Sequence, residues 1–132
     1  MTRFAPIAAL AAAGLFAGAA VAGDPTGVWK TEANDEGAWL EVEIQPCGDR
    51  VCGVIVAAKD ASGTPDGGYE HLGRQMIIDM APDGENKWSD GEIWAPDDDE
   101  TYNANMELKG DVLAVEGCVL VFCRGQDWTR AN

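Results

Sequence analysis

The chain has 132 residues, enough for one domain, and its 9 Lys and Arg against 23 Asp and Glu give a net charge of −14. With the cations scattered singly there is no basic patch to meet a phosphate backbone, which argues against nucleic acid as a partner and against anionic membrane surfaces for the same reason. Composition alone names neither a reaction nor a ligand.

Residues 1–22 stand apart from the rest. Met1-Thr2-Arg3 carries one positive charge, residues 4–19 are Ala, Leu, Ile, Phe, Gly and Pro, and Ala20-Val21-Ala22 fits the small-x-small rule of a signal peptidase site. A cleaved signal peptide is predicted, with Gly23 as the mature N-terminus. The apolar stretch is too short and too rich in Ala for a bilayer span, and no Cys follows it to suggest a lipoprotein. Residues 23–132 then form a single domain that carries 8 cations, 23 carboxylates and all four cysteines. No stable membrane insertion is expected of it.

From the new N-terminus onward the dominant period is two. A first strand is predicted at Gly27 to Thr31. Residues 38–46 put Leu40, Val42 and Ile44 on one side and Glu41, Glu43 and Gln45 on the other, a strand with one wet face. Residues 51–58 follow as a small apolar run, so Cys47 and Cys52 flank a hairpin whose turn holds Gly48 and Asp49. In an exported chain the equal pairs Cys47-x4-Cys52 and Cys118-x4-Cys123 read as disulfides. Of the three connectivities, the symmetry of spacing and the turn residues favour the two local ones. Such short loops remove little entropy from the unfolded chain, on the order of 2 kcal/mol each, so the bridges act chiefly as locks on chain reversals. Zinc and redox chemistry are the weaker readings of these cysteines, since an oxidising compartment opposes the first and there is no Cys-x-x-Cys for the second.

A loop rich in Gly, Asp, Ser and Pro over 60–73 leads to a strand at 75–80. Asp83-Gly84 makes a turn, and Trp88 to Trp94 forms the next strand. Residues 100–108 alternate again, with Tyr102, Ala104, Met106 and Leu108 facing one way. Gly110-Asp111 links them to a strand at 112–116, and after the Cys118 to Cys123 reversal a final strand lies around Gln126 to Arg130. About eight sequential strands, joined by short connections and without a convincing helix, predict an all-β fold. A small antiparallel up-and-down barrel fits better than a two-sheet sandwich, because closure removes edges and so short a chain has no spare layer.

Several of these pieces carry a resemblance as a set. Gly27-x-Trp29, Cys47-Gly-x-x-Val-Cys52-Gly-x-Ile55, Trp88-x-x-Gly91-x-Ile93-Trp94-x-Pro96, Thr101-Tyr102, Gly117-Cys118 and Trp128-Thr-Arg130 resemble the DUF2147 family of bacterial exported proteins over nearly all of residues 25–131. The resemblance implies a lipocalin-like or calycin-like barrel, periplasmic or secreted, and defines no reaction. It also implies that Gly27 and Trp29 close one end of the barrel, with a guanidinium from the last strand, Arg130 or less favourably Arg124, stacked on the indole to seal it. Where family members usually carry an Asn-Pro and a more basic stretch, this chain reads Thr64-Pro65-Asp66-Gly67-Gly68-Tyr69-Glu70-His71. A ligand role that relied on positive charge there is not expected.

Catalytic motifs are scarce. His71 is the single histidine, Ser62 and Ser89 are the only serines after residue 22, and no nucleophile motif can be assembled around them. No catalytic residue and no cofactor is assigned. Asp97-Asp98-Asp99-Glu100 is a weak candidate for a hard cation and reads first as a solvated turn. The five tryptophans are more informative. Trp39, Trp88, Trp94 and Trp128, with Tyr102, are candidates to line a pocket or a surface, and Trp39 sits on the wet face of its strand; Trp88 and Trp94 share a parity, which leaves the inward face of theirs ambiguous. The leading expectation is a non-enzymatic binding barrel for a small amphipathic or hydrophobic ligand, acting as a monomer or weak homo-oligomer. The alternatives are an envelope protein with a filled barrel that works through a partner surface, including an exposed aromatic patch around Trp39, and a carboxylate-dependent hydrolase using His71.

Overall fold

A computed structural model describes residues 23–131, so the predicted signal peptide lies outside the described residues. Eight strands follow one another: β1 (Gly27–Lys30), β2 (Trp39–Cys47), β3 (Arg50–Lys59), β4 (Gln75–Pro82), β5 (Lys87–Ala95), β6 (Glu100–Lys109), β7 (Val112–Val119) and β8 (Phe122–Arg130). Each is antiparallel to the next, and β8 returns to β1 to close an all-β barrel. The two-residue turns at 48–49, 110–111 and 120–121 fix three of these neighbour pairings directly, because antiparallel strands joined by so short a turn pair with each other.

Alternation decides what fills the barrel. Trp29, Val42, Ile44, Ile55, Ile77, Met80, Leu113 and Trp128 are fully buried, each contributing roughly 1.5–3 kcal/mol by leaving water. The interior has little slack: a methyl group added at Gly53 would sit 3.0 Å from Val42 Cγ1 and 3.1 Å from Ile77 Cβ. Both disulfides, Cys47–Cys52 and Cys118–Cys123, are the local pairs. Two bridges are compatible with an oxidising, exported location.

Strand extents depart from the sequence expectation at one place. β7 runs on to Val119 and β8 starts at Phe122, so Cys118 and Cys123 face each other across a regular ladder and the reversal is a two-residue turn, Leu120-Val121. A second departure concerns β5. One extra residue is inserted between Trp88 and Gly91, with Asp90 at φ 57°, so that Trp88 lies opposite Met106 while Gly91 lies opposite Ala104. A bulge of this kind reverses the facing of everything beyond it. Trp88 therefore points inward with Met106, and Ile93 inward beside Tyr102 and Gly117, whereas Trp94 stands on the outer wall. The shared facing expected from the parity of Trp88 and Trp94 is thereby corrected.

Candidate functional site at the loop end

The two ends of the barrel are built differently. At one, residues 23–26 and the C-terminal end of β8 meet the β2–β3, β4–β5 and β6–β7 hairpins. Trp29 is fully buried there and donates its Nε1 hydrogen to the Pro25 carbonyl at 2.8 Å. The Arg130 guanidinium lies 4.0 Å from the centre of the Trp29 ring and donates to the carbonyls of Thr26 at 2.6 Å and Asp24 at 2.9 Å. Stacking spends the face of the cation on the indole and leaves its edge for backbone oxygens. Gly27 makes this approach feasible: its φ is 120°, and a Cβ there would be 2.8 Å from an Arg130 nitrogen. Asp24 is held below the usual carboxylate range, chiefly by accepting from the Thr26 backbone N–H.

The opposite end collects the β1–β2, β3–β4, β5–β6 and β7–β8 connections. Trp94, on the outer wall, is 2 % exposed because the β3–β4 connection folds over it. Arg74 stacks 3.6 Å from its ring centre, His71 meets it edge-on at 4.9 Å, and its Nε1 donates to Asp99 at 2.9 Å. Tyr69 packs edge-on against His71, and its phenol pKa is raised by burial with help from Glu70. His71 Nε2 is 3.1 Å from the exposed Glu70 carboxylate. Asp60 orders the start of the same connection by accepting from the Ser62 hydroxyl at 2.7 Å and from the N–H groups of Ser62 and Thr64.

The acidic turn does not converge. Asp98 accepts from the Glu100 N–H and from the Tyr102 hydroxyl, while Asp99 accepts from Trp94 and lies 4.0 Å from Arg74. Among the described residues the groups of three ligand-type side chains that come close together are Cys47, Cys52, Asp79 and Glu116, Cys118, Cys123. Both contain bridged cysteines, which have no thiolate to offer.

The inner wall near this end is where the barrel opens. Along β8 the inward register positions are Trp128, Gln126, Arg124 and Phe122, opposite Leu113, Val115, Gly117 and Val119 of β7. Trp128 is 1 % exposed, yet Gln126, Arg124 and Phe122 above it are all exposed. The cause is the length of β1, which pairs with β8 only at Trp29–Arg130 and Lys30–Thr129 and leaves the upper half of β8 with no strand on that side, where Glu32 of the β1–β2 connection accepts from the Asp127 N–H at 2.7 Å and donates its own N–H to Gln126 at 3.3 Å. Arg124, offered as the weaker partner for Trp29, lies instead at this opening, in register with Gly117, which faces Tyr102 and Ile93. The Tyr102 phenol pKa is raised, first by its hydrogen bond to Asp98, and the Arg124 guanidinium works against that shift. Phe122, Arg124 and Gln126 thus form an exposed inner wall above Trp128, whose Nε1 donates to Gln126 Oε1 at 2.9 Å.

A family model described as "Uncharacterized protein conserved in bacteria (DUF2147)" matches residues 27–130. The chain belongs to the DUF2147 family. Its fold is similar to that of protein HP1028 from Helicobacter pylori, described as belonging to the lipocalin family, with a TM-score of 0.66 and 13 % identity over 83 % of this chain and 84 % of that one. No curated protein matches the chain. The DUF2147 domain is thus a lipocalin-like barrel, and identity this low carries the fold alone.

Two features of this DUF2147 chain were hidden in its sequence. Trp39 is half-buried, with the Lys30 ammonium 3.9 Å from its ring centre and its Nε1 donating to Glu41, so it does not centre an exposed patch. The exposed apolar surface lies at the β7–β8 turn, where Val119, Leu120, Val121 and Phe122 are 49, 91, 86 and 76 % exposed. Its signal was four consecutive apolar residues between two cysteines, a pattern that reads equally well as a buried strand.

Proposed function

We propose that the protein is an exported, non-enzymatic barrel that binds a small amphipathic molecule at its loop end. The observation that supports this reading is the exposed inner wall of β8, Phe122, Arg124 and Gln126, directly above the buried Trp128. A filled lower barrel excludes deep insertion, so the ligand lays an apolar portion against Phe122 and Ile93. Its polar head meets Arg124 and Tyr102. A guanidinium in that place selects an anionic head, such as a carboxylate, by charge-assisted hydrogen bonds.

Decanoate is a suitable probe, with decanol and dodecyltrimethylammonium as neutral and cationic comparisons. Calorimetry should show saturable one-to-one binding of decanoate, weaker binding of decanol and none of the cation, with Arg124→Ala reducing decanoate affinity about tenfold, the loss of one charge-assisted contact. Equal affinity for the three probes, or no effect of Arg124→Ala, would count against this reading.

The second reading, an envelope protein that works through its outer surface, draws on the filled interior and on two surface concavities. Both lie on the outer wall, one over β5–β8 of about 470 Å³ and one over β4–β6 of about 530 Å³. No observation favours a carboxylate-dependent hydrolase. His71 is taken up by Glu70, Tyr69 and Trp94 rather than by a pair of acids.

A further inference from the structure

We infer that the upper half of β8 takes an extended segment of another protein as an added strand, antiparallel to it, continuing the ladder where β1 stops short. The main-chain bonds define that ladder. Trp29 lies opposite Arg130 and Lys30 opposite Thr129, and the Ala131 N–H donates to the Val28 carbonyl at 2.9 Å. Carried on in this register, the main chains would pair Glu32 with Asp127, Asn34 with Gly125 and Glu36 with Cys123, since every second residue of a strand bonds to the same neighbour. The ladder breaks at Glu32. The Asp127 N–H goes to the Glu32 carboxylate at 2.7 Å instead of its carbonyl, and the Glu32 N–H goes to the Gln126 side chain at 3.3 Å. Asn34 then turns away, donating to the Ala38 carbonyl at 2.8 Å while its side chain accepts from the Glu36 and Ala38 N–H groups. The N–H and C=O groups of Cys123 and Gly125 therefore face a strand position that no described residue fills, and Phe122 to Asp127 are all exposed.

Donors and acceptors that alternate along an open edge are matched by an extended main chain. The β1–β2 connection of this chain cannot supply it. The Thr31 N–H donates to the Leu40 carbonyl at 2.9 Å, so the connection must return to β2 there. A straight run out to Glu36 would lie about 17 Å from Thr31, and the steps back from Glu36 to Leu40 reach about 14 Å at most. Charge disfavours a second copy. Two β8 edges related by a two-fold axis and bonded through Cys123 and Gly125 would set two Arg124 side chains directly opposite each other, and a shift of one pair would need the Asp127 N–H that Glu32 holds. The inner wall then names the side chains of the added strand. Opposite Arg124 it carries an acidic residue, and two positions to either side, opposite Phe122 and Gln126, apolar ones. The residues between lie on the outer face beside Cys123 and Gly125, where the absence of a side chain on Gly125 leaves room. This inference needs only the open ladder and stands apart from small-ligand binding at Arg124.

The test adds the peptide acetyl-Val-Thr-Glu-Thr-Val-amide, whose side-chain pattern reads the same in both directions, to the oxidised protein and follows the backbone amides by NMR. The expected result is saturable one-to-one binding that slows exchange of the Cys123 and Gly125 amides. Methylating both Thr nitrogens removes the N–H groups that face β8 and should weaken binding about tenfold; methylating the Glu nitrogen, which faces away, should leave it unchanged. The Thr-methylated peptide also separates this edge from head-group capture at Arg124, because it keeps the carboxylate and loses only main-chain donors. Lys in place of the central Glu should weaken binding about fivefold, and Arg124→Glu should restore the Lys peptide. No saturable binding, equal binding of the Thr-methylated peptide, or no response to the charge exchange would overturn the inference. So would protection of the same two amides that rises with protein concentration in the absence of peptide, which would assign the edge to a second copy.

Discussion

Two tryptophans of this barrel each carry a stacked arginine, and the pairs behave differently because of the side of the wall they occupy. Trp29 is inside, and Arg130 above it donates to two backbone carbonyls of the N-terminal segment. That pair ties the two chain ends together and closes the sheet at its weakest seam, where β1 and β8 share two register positions. Trp94 is outside, and Arg74 is 46 % exposed beside an Asp99 that is 80 % exposed. Stacking chemistry is the same in both, so the contrast teaches that burial and backbone partners, rather than the cation–ring contact, decide whether such a pair holds a fold or only a loop.

The largest expected effects would separate the pairs outright. Trp29→Ala should cost about 3–5 kcal/mol, the usual loss for a buried Trp, and lower the midpoint of global thermal unfolding. Trp94→Ala should instead free the β3–β4 connection first, visible as faster amide exchange at residues 60–74 while the amides of β6 and β7 stay protected. Equal loss of protection throughout both variants would erase the distinction. Next come the cations: Arg130→Ala should cost about 1.5–3 kcal/mol for its charged hydrogen bonds, and Arg74→Ala about 1 kcal/mol or less. Denaturant midpoints measured side by side would show the contrast, and a reversed order would break it. Replacing Cys118 and Cys123 together by Ala should cost on the order of 2 kcal/mol, less than the loss of Trp29 because the closed loop is short.

The smallest effect is a local one with pH. The Asp60 carboxyl lies below its ordinary value of 3.8, first through the Ser62 hydroxyl and then through the Thr64 N–H. A lowered folded-state pKa means that the contribution is complete above the ordinary value and is lost as pH falls through the folded one. Chemical shifts of the Ser62 and Thr64 amides should therefore hold steady above pH 5 and move only below about 4. Asp60→Asn should remove the movement.

Much of the barrel was legible because alternation is a local property. Val42 and Ile44, or Met106 and Leu108, are buried for the reason their spacing announces, and the equal cysteine pairs mark two hairpins for the same reason. Trp94 was not legible, since a single inserted residue at Asp90 reverses everything after it and leaves no mark in composition. The upper half of β8 was misread for a related reason. The sequence reading starts the last strand near Gln126, yet Phe122 to Gly125 already continue the ladder of β7, and the short β1 beside them leaves their inward positions open to solvent.

What the sequence determined by itself was the number of reversals and the facing of most strands, because turn residues and period-two alternation act over a few neighbours. What only the tertiary structure decided was which end is sealed and which is open, that Trp94 lies outside under a folded-back connection, and that four apolar residues stand in solvent. Those outcomes depend on how far β1 extends along β8 and on one bulge in β5, quantities set by closure of the whole sheet rather than by any stretch of it.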